Sequence, residues 1–280
     1  MRESGFVDRV GGLGLHDHVC WRYTARHEFH HSAREFLVDG LRRGLQVWYV
    51  ATGATADLAA DLRGGDALDA GLRTGAARVV SLDDTYPVGT AVEPAAQVRA
   101  YADATGAALA AGFAGLRVAA DCTPLVRTPE QLDAFARYEH LIDRYMVERP
   151  FSALCAYSAT EVDEEAFPQV ACMHPGANDA SPGFRLHAAA DHVTALGGEL
   201  DPANEDLFAL ALERSDPRPR DGRWVVDARA VEFLDHRALI RLSAHAAELG
   251  AAVVLRTSWS GAATLVELLG LPDISVESAA

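Results

Sequence analysis

Two α/β domains, each built on a largely parallel sheet, are what this sequence predicts, and three observations lead there. Along residues 1–174, short apolar runs alternate with segments of helical periodicity, which is how parallel strands with helices on their faces read. At Pro175–Gly183 the alternation stops in a stretch of turn formers with no apolar side chain larger than Ala. A second alternation then runs to the C-terminus, and 280 residues at 49% hydrophobic content can bury two ordinary cores. The expected division is a first domain over 1–176, a linker over 177–183 and a second domain over 184–280.

In the first domain, residues 18–23 predict a strand and residues 28–43 a helix with Phe29, Phe36, Leu37 and Leu41 on its buried side. Residues 45–51 form a strongly apolar strand stopped by Thr52 and Gly53. Residues 77–82, 116–120 and 151–157 supply three more strands, with helices near 56–62, 95–112 and 128–147. The last helix opens on Thr128-Pro129-Glu130-Gln131, a capping box with proline at its first position.

In the second domain, residues 184–190 and 192–198 read as strands around a turn at Ala190 and Asp191. Pro202 is placed as a first helical residue, with Leu207, Leu210 and Ala211 marking the helix face behind it. Trp224, Val225 and Val226 predict a buried strand that the charge of Asp227 ends. Asp235 then caps a helix from about His236 to Leu249, terminated by Gly250. Residues 252–257 give another strand, 262–269 a helix closed by Gly270, and 274–276 a last short strand.

Composition narrows the function. A formal charge of -15 opposes any partner that is read through its phosphates, so neither nucleic acid nor an anionic membrane surface is expected. Every cationic side chain is Arg, which excludes a Walker lysine, a Schiff-base lysine and lysine bases. Residues 1–15 lack the apolar core of a signal peptide, and no segment has the apolar run of a membrane span. Cys20, Cys122, Cys155 and Cys172 are scattered without a C-x-x-C pair, as expected of a cytoplasmic protein with reduced thiols. There is no Gly-x-Ser-x-Gly elbow and no pairing of acidic residues that sequence alone could turn into an acid and a base, so the chain is not expected to be an enzyme.

Five features occur in order through the first domain: His16-Asp-His-Val-Cys20, Gly40-Leu-Arg-Arg-Gly-Leu-Gln-Val-Trp-Tyr-Val50, Tyr138-Glu139, Phe151-Ser-Ala-Leu-Cys155-Ala-Tyr157 and His174-Pro175. Together they resemble the MEDS family of sensory domains, themselves distantly similar to RecA-like ATPases. The resemblance implies a RecA-like parallel sheet. Its P-loop is missing, since Tyr23-Thr-Ala-Arg-His-Glu28 joins strand to helix with neither glycine nor lysine, and no ATP hydrolysis is expected.

A ligand is then expected beyond the carboxyl ends of the strands, where Thr24, Thr52, Gly53, Asp83, Asp121 and Ser158 fall. Asp121 there is either a ligand-facing carboxylate or an ordinary strand-terminal Asp. The resemblance implies small-molecule sensing through His and Cys residues, and His18, Cys20, Cys155 and His174 are the positions that match. In an extended segment His16, His18 and Cys20 share a face, which makes His18 with Cys20 the metal candidate. Imidazole with thiolate suits zinc, copper or haem iron, whereas a buried thiol that only packs needs no cofactor at all.

In the second domain, Gly198-Glu199-Leu200-Asp201 and Phe233-Leu234-Asp235-His236-Arg237-Ala238-Leu239 resemble the two signatures of STAS domains, the family of the anti-sigma factor antagonists. That family's phosphoacceptor Ser or Thr is replaced here by His236, and its Gly by Ala238. The resemblance implies an anti-sigma factor as partner, of the GHKL-type serine kinases, met through Asp201, Asp235, His236 and Arg237. The expected protein is a signalling regulator in which a small-molecule or redox sensor governs an antagonist whose phospho-switch is disabled. Two alternatives stay open: a metal- or thiol-dependent enzyme, and a scaffold subunit of a stressosome-like assembly, which would form a large symmetric homo-oligomer.

Overall fold

The computed structural model describes residues 5–86, 89–189 and 192–278, and the chain forms two sheets flanked by helices. The first half lays out β1 (Gly5–Phe6), β2 (His18–Tyr23), α1 (Arg26–Arg42), β3 (Gln46–Ala51), α2 (Thr55–Leu62), α3 (Asp66–Thr74) and β4 (Ala77–Ser81). It continues with α4 (Leu82–Thr85), α5 (Pro94–Ala110), β5 (Leu116–Asp121), α6 (Pro129–Glu148), β6 (Phe151–Ser158), α7 (Phe167–Ala171) and β7 (Gly176–Ala177). The strands pair in the order β1-β7-β2-β6-β5-β3-β4, every neighbour parallel. One face is covered by α1, α2 and α3, with Phe29, Phe36 and Leu58 buried against Val47, Tyr49 and Leu154. The other is covered by α5, α6 and α7, with Phe135, Ile142 and Phe167 packed among Val118, Phe151 and Tyr157. Among the described residues, no helix is long and apolar enough to cross a membrane.

The five strands and four helices expected in this half all form. The sequence pattern missed the two-residue strands β1 and β7, which are too short to show any alternation. It also missed α3, which is bracketed by Gly65 and by Gly75 at φ +80°, punctuation that reads as loop. The stretch expected as a linker is tied to the first sheet where it begins. Gly176 and Ala177 pair with β1 and β2, and a Cβ at Gly176 would lie 2.9 Å from Val7 Cγ2. Asn178 then accepts from the Arg22 amide at 2.6 Å and donates to its carbonyl at 2.9 Å. Turn-forming residues here serve close packing instead of slack.

The second half comprises β8 (Phe184–Ala188), β9 (Val193–Leu200), α8 (Glu205–Arg214), β10 (Arg223–Leu234), α9 (His236–Glu248), β11 (Ala252–Thr257), α10 (Ala262–Leu268) and β12 (Ile274–Ser278). Its sheet runs β12-β11-β10-β9-β8, parallel except for the β8–β9 pair. The turn expected at Ala190 and Asp191 lies outside the described residues. β10 does not stop at Asp227. Register shifts against β9 carry it on to Leu234, and the Asp227 carboxylate is taken by Arg229 Nε at 2.8 Å. Nor does α8 start at Pro202, because a side-chain turn intervenes: Asp201 N–H donates to Asn204 Oδ1 at 3.1 Å, and Ala203 N–H to Asp201 Oδ1 at 2.9 Å. The residues buried on α8 are Phe208, Ala211, Leu212 and Arg214, with Leu207 and Leu210 half-buried.

The two sheets share a core. Phe167 and Val170 from α7 belong to one apolar cluster with Phe184, Leu186, Phe208 and Trp224. Polar bonds fix the same join. Leu186 N–H donates to the Cys172 carbonyl at 2.7 Å, Ala188 N–H to Asp143 Oδ2 at 2.9 Å, and Arg214 Nε to Asp133 Oδ1 at 3.0 Å.

On the far face of the first sheet, Arg117 is fully buried, and its guanidinium lies over the Phe36 ring, 4.4 Å from the centroid. It donates to Asp39 Oδ2 at 2.9 Å, Ser152 Oγ at 3.0 Å and the carbonyls of Leu13 and Gly14 at 2.6 and 2.8 Å. Arg117→Met would leave Ser152 Oγ and the Leu13 and Gly14 carbonyls without this donor and leave Asp39 with Arg43 alone. The expected loss of stability is about 3–5 kcal/mol, measured as a fall in the urea midpoint at unchanged slope.

Candidate functional site

β2 and β6 lie side by side in the first sheet, with His18 in register with Ala153 and Cys20 with Cys155. α6 crosses the face on which these side chains stand. Glu139 and Asp143 are one turn apart on it and emerge from the side that carries Phe135, Ile142 and Met146. His174 joins from the turn after α7. His18, Glu139, Cys155 and His174 thereby each bring one donor atom into a group whose members all lie within 4.8 Å of one another. His18, Glu139 and His174 have no exposed surface, and Cys155 is also buried. His18 Nε2 is 3.2 Å from Glu139 Oε2 and 3.5 Å from Cys155 Sγ. Cys155 Sγ is 3.7 Å from Glu139 Oε2, and His174 Nε2 is 3.5 Å from Glu139 Oε1.

A second layer orients these groups. His18 Nδ1–H donates to Asp143 Oδ1 at 3.0 Å, and His174 Nδ1–H to the Val170 carbonyl at 2.9 Å, so both rings turn Nε2 inward. The Tyr157 hydroxyl donates to Glu139 Oε1 at 2.7 Å. Burial by itself would raise the pKa of Glu139, but the electrostatic pull of nearby His174 and then the bond and attraction of His18 outweigh it and hold the carboxylate well below its usual range. Burial likewise opposes charge on His18, yet its bonds to Asp143 and Glu139 leave its pKa above the ordinary value. Burial and the neighbouring His18 hold His174 below the ordinary value. A hydrogen bond with Cys122 and burial push the Cys155 thiol well up. His174 Nε2 is buried without a hydrogen-bond partner. Two imidazoles, a carboxylate and a sulfur that converge on one point are a donor set for a borderline metal ion.

Residues 17–175 match the sequence profile of MEDS, the methanogen/methylotroph, DcmR sensory domain. The chain belongs to the MEDS family. All four converging residues fall inside the matched span, and a sensory role in signalling follows from the family. No curated protein matches the chain.

Of the ligand residues expected from sequence in this MEDS domain, His18, Cys155 and His174 are brought together. Cys20 is buried one register step along β2 and stays outside the set. Glu139 and Asp143 were not expected in the site. The signal lay in an acid pair at i and i+4 on a largely apolar helix face, and Glu139 already figured with Tyr138 in the family pattern. The remaining candidates stand elsewhere, at the carboxyl ends of the strands. Thr24, Thr52, Asp121 and Ser158 line an open crevice of about 250 Å³ with Tyr23, Arg26 and Arg127. Gly53 sits at its side, its N–H donating to Asp83 Oδ2 at 2.8 Å. In this MEDS domain two amides of the loop just before α1 are engaged by the chain itself, because Glu28 accepts from Thr24 N–H at 2.8 Å and from Ala25 N–H at 3.1 Å. Asp121 is held by Tyr23 Oη at 3.1 Å and Thr123 N–H at 3.2 Å, as a structural strand-end carboxylate would be.

The residues expected to meet a partner stand together at the carboxyl ends of β9 and β10, outside the MEDS span. Asp235 caps α9 by accepting from Ala238 N–H at 2.9 Å, and exposed His236 is the helix's first residue. Arg237 reaches Glu205 at 2.7 Å, and Asp201 sits beside them in the turn before α8.

All four thiols are buried and unpaired by disulfides. Native protein should therefore react slowly with iodoacetamide at every cysteine, and all should react once the chain is unfolded, as read by mass spectrometry. Rapid native labelling of Cys155 would point to an activated thiol and favour the enzyme alternative.

Proposed function

We propose that this protein is a signalling regulator in which the buried His18, Glu139, Cys155 and His174 set registers the input and the second half delivers the output to an anti-sigma factor. The observation that carries the reading is that α6 takes part in both. Glu139 stands in the set and Asp143 accepts from its His18, and Asp143 also holds the backbone of β8 in the second sheet. Complete burial suits an ion or a very small ligand better than a polymer or a bulky substrate.

The output half is read as STAS-like. Its element order β-β-α-β-α-β-α-β is that of the family, and Asp235 caps α9 where the family's phosphorylation corner would lie. The helix N-terminus is electropositive, so a phosphorylated Ser there would be held well and would place two negative charges on the docking face. With His236 in that place the kinase has no hydroxyl to modify. Control then passes to the sensory half. The partner this favours is an anti-sigma factor of the GHKL-type serine kinases, and the reading places the protein in transcription regulation within the cytoplasm.

Full-length protein used as bait in a lysate of the native host should retain such a kinase, identified by mass spectrometry. His236→Glu, which puts a carboxylate where phosphate would sit, should reduce its recovery at least tenfold. Equal recovery by both baits of no kinase at all would remove the antagonist reading.

A further inference from the structure

We infer that His18, Glu139, Cys155 and His174 are the four ligands of a zinc-class divalent metal ion, and that Asp143 joins this centre to the second sheet. This deepens the sensory reading above and rests on it for the purpose of the site, not for its chemistry.

Spacing is the first argument. Tetrahedral bonds of about 2.0–2.3 Å set neighbouring donors roughly 3.3–3.8 Å apart. Among His18 Nε2, Glu139 Oε2 and Cys155 Sγ the separations are 3.2, 3.5 and 3.7 Å, and His174 completes a group whose donor atoms all lie within 4.8 Å of one another. Orientation is the second. Asp143 and the Val170 carbonyl take up both Nδ1 protons, which leaves Nε2 of each ring facing the centre. Tyr157 holds one oxygen of Glu139, and the other faces His18 and Cys155. Such outer partners fix tautomer and direction in metal sites.

Charge is the third. With both imidazoles neutral and Glu139 and Cys155 anionic, a divalent ion balances the charge of its four ligands, which an interior of low dielectric favours. Without an ion, the wholly buried His174 Nε2 is left with no hydrogen-bond partner, a defect that asks for an explanation. A coordinated ion supplies one. Binding would release the Cys155 thiol proton and any proton on His18 Nε2 to solvent, with no redox step. Donor type decides the class. Magnesium and calcium require oxygen shells, whereas nitrogen with sulfur suits zinc. Four donors drawn together within 4.8 Å leave no room for a porphyrin plane between them.

Asp143 gives the centre its reach. One oxygen accepts from His18 Nδ1–H at 3.0 Å and the other from Ala188 N–H of β8 at 2.9 Å. A ligand ring and an edge strand of the other sheet therefore share one carboxylate. By linkage, whatever metal loading does to the His18–Asp143 bond, a change at β8 must do in return to metal affinity.

The test is titration of chelator-treated full-length protein with Co²⁺, followed by Zn²⁺. The expected result is one ion per chain, the intense visible bands of tetrahedral cobalt, a thiolate-to-cobalt charge-transfer band, and displacement of both signals by zinc. Cys155→Ser should lose the charge-transfer band while Cys20→Ser keeps it. Asp143→Asn should weaken zinc binding roughly 10- to 100-fold, and zinc should slow amide exchange in β8 of the wild type but not of this variant. Absence of stoichiometric cobalt or zinc binding by the wild type overturns the proposal, as does a charge-transfer band that survives Cys155→Ser. Zinc that binds as described without altering kinase recovery from lysate would leave the metal centre standing and remove the sensory reading instead.

Discussion

The buried carboxylate of Glu139 is the constraint around which the first half of the molecule is arranged. Taking such a charge out of water costs several kcal/mol unless partners surround it. Here they come from three separate elements: His18 from β2, Tyr157 from β6 and His174 from the turn after α7. Each of those elements must sit where it does for Glu139 to remain ionised. The cluster therefore fixes α6 against the sheet at the point where β2 and β6 are paired, and fold and site are secured by the same contacts.

From that anchor α6 extends in two directions. Its apolar side packs Phe135, Ile142 and Met146 into the core, and Asp143 continues the polar chain from His18 to the Ala188 amide. Leu186 on the same strand binds the Cys172 carbonyl, two residues before His174. β8 is thus held at two places that also position ligands of the buried set. A change at the set has a short, contiguous path to the second sheet, through hydrogen bonds whose two ends are both on well-packed elements.

The crevice beyond the strands tells the opposite story. In an open parallel sheet this is where a ligand is expected, and Thr24, Thr52 and Asp121 do line it. Yet the carboxylate of Glu28 takes the Thr24 and Ala25 amides in the loop before α1, and Asp121 is bound by Tyr23 and Thr123. The donor cluster lies elsewhere, at the amino-terminal end of β2 and in the middle of β6, under α6.

Much of this was legible in the sequence. Apolar runs such as Val47 to Ala51 and Leu116 to Ala120 fixed strands because a fully buried parallel strand needs them, and Thr128 with Gln131 marked the start of α6 because the amides there need acceptors. His18, Cys155 and His174 stood out by residue type. Their convergence could not be read, since it depends on β6 folding back beside β2 across more than a hundred residues and on a two-residue strand, β7, that carries no pattern. Asp143 carried no motif, and Glu139 stood in the family pattern with no role attached to it. Only the tertiary structure decided that this face of α6 is buried against β2 and β6, and that the stretch after His174 is paired into the sheet instead of hanging free. Local propensity and hydrophobic period are written residue by residue. The identity of a buried charge's partners is set by which strands become neighbours, and that is a property of the closed core as a whole.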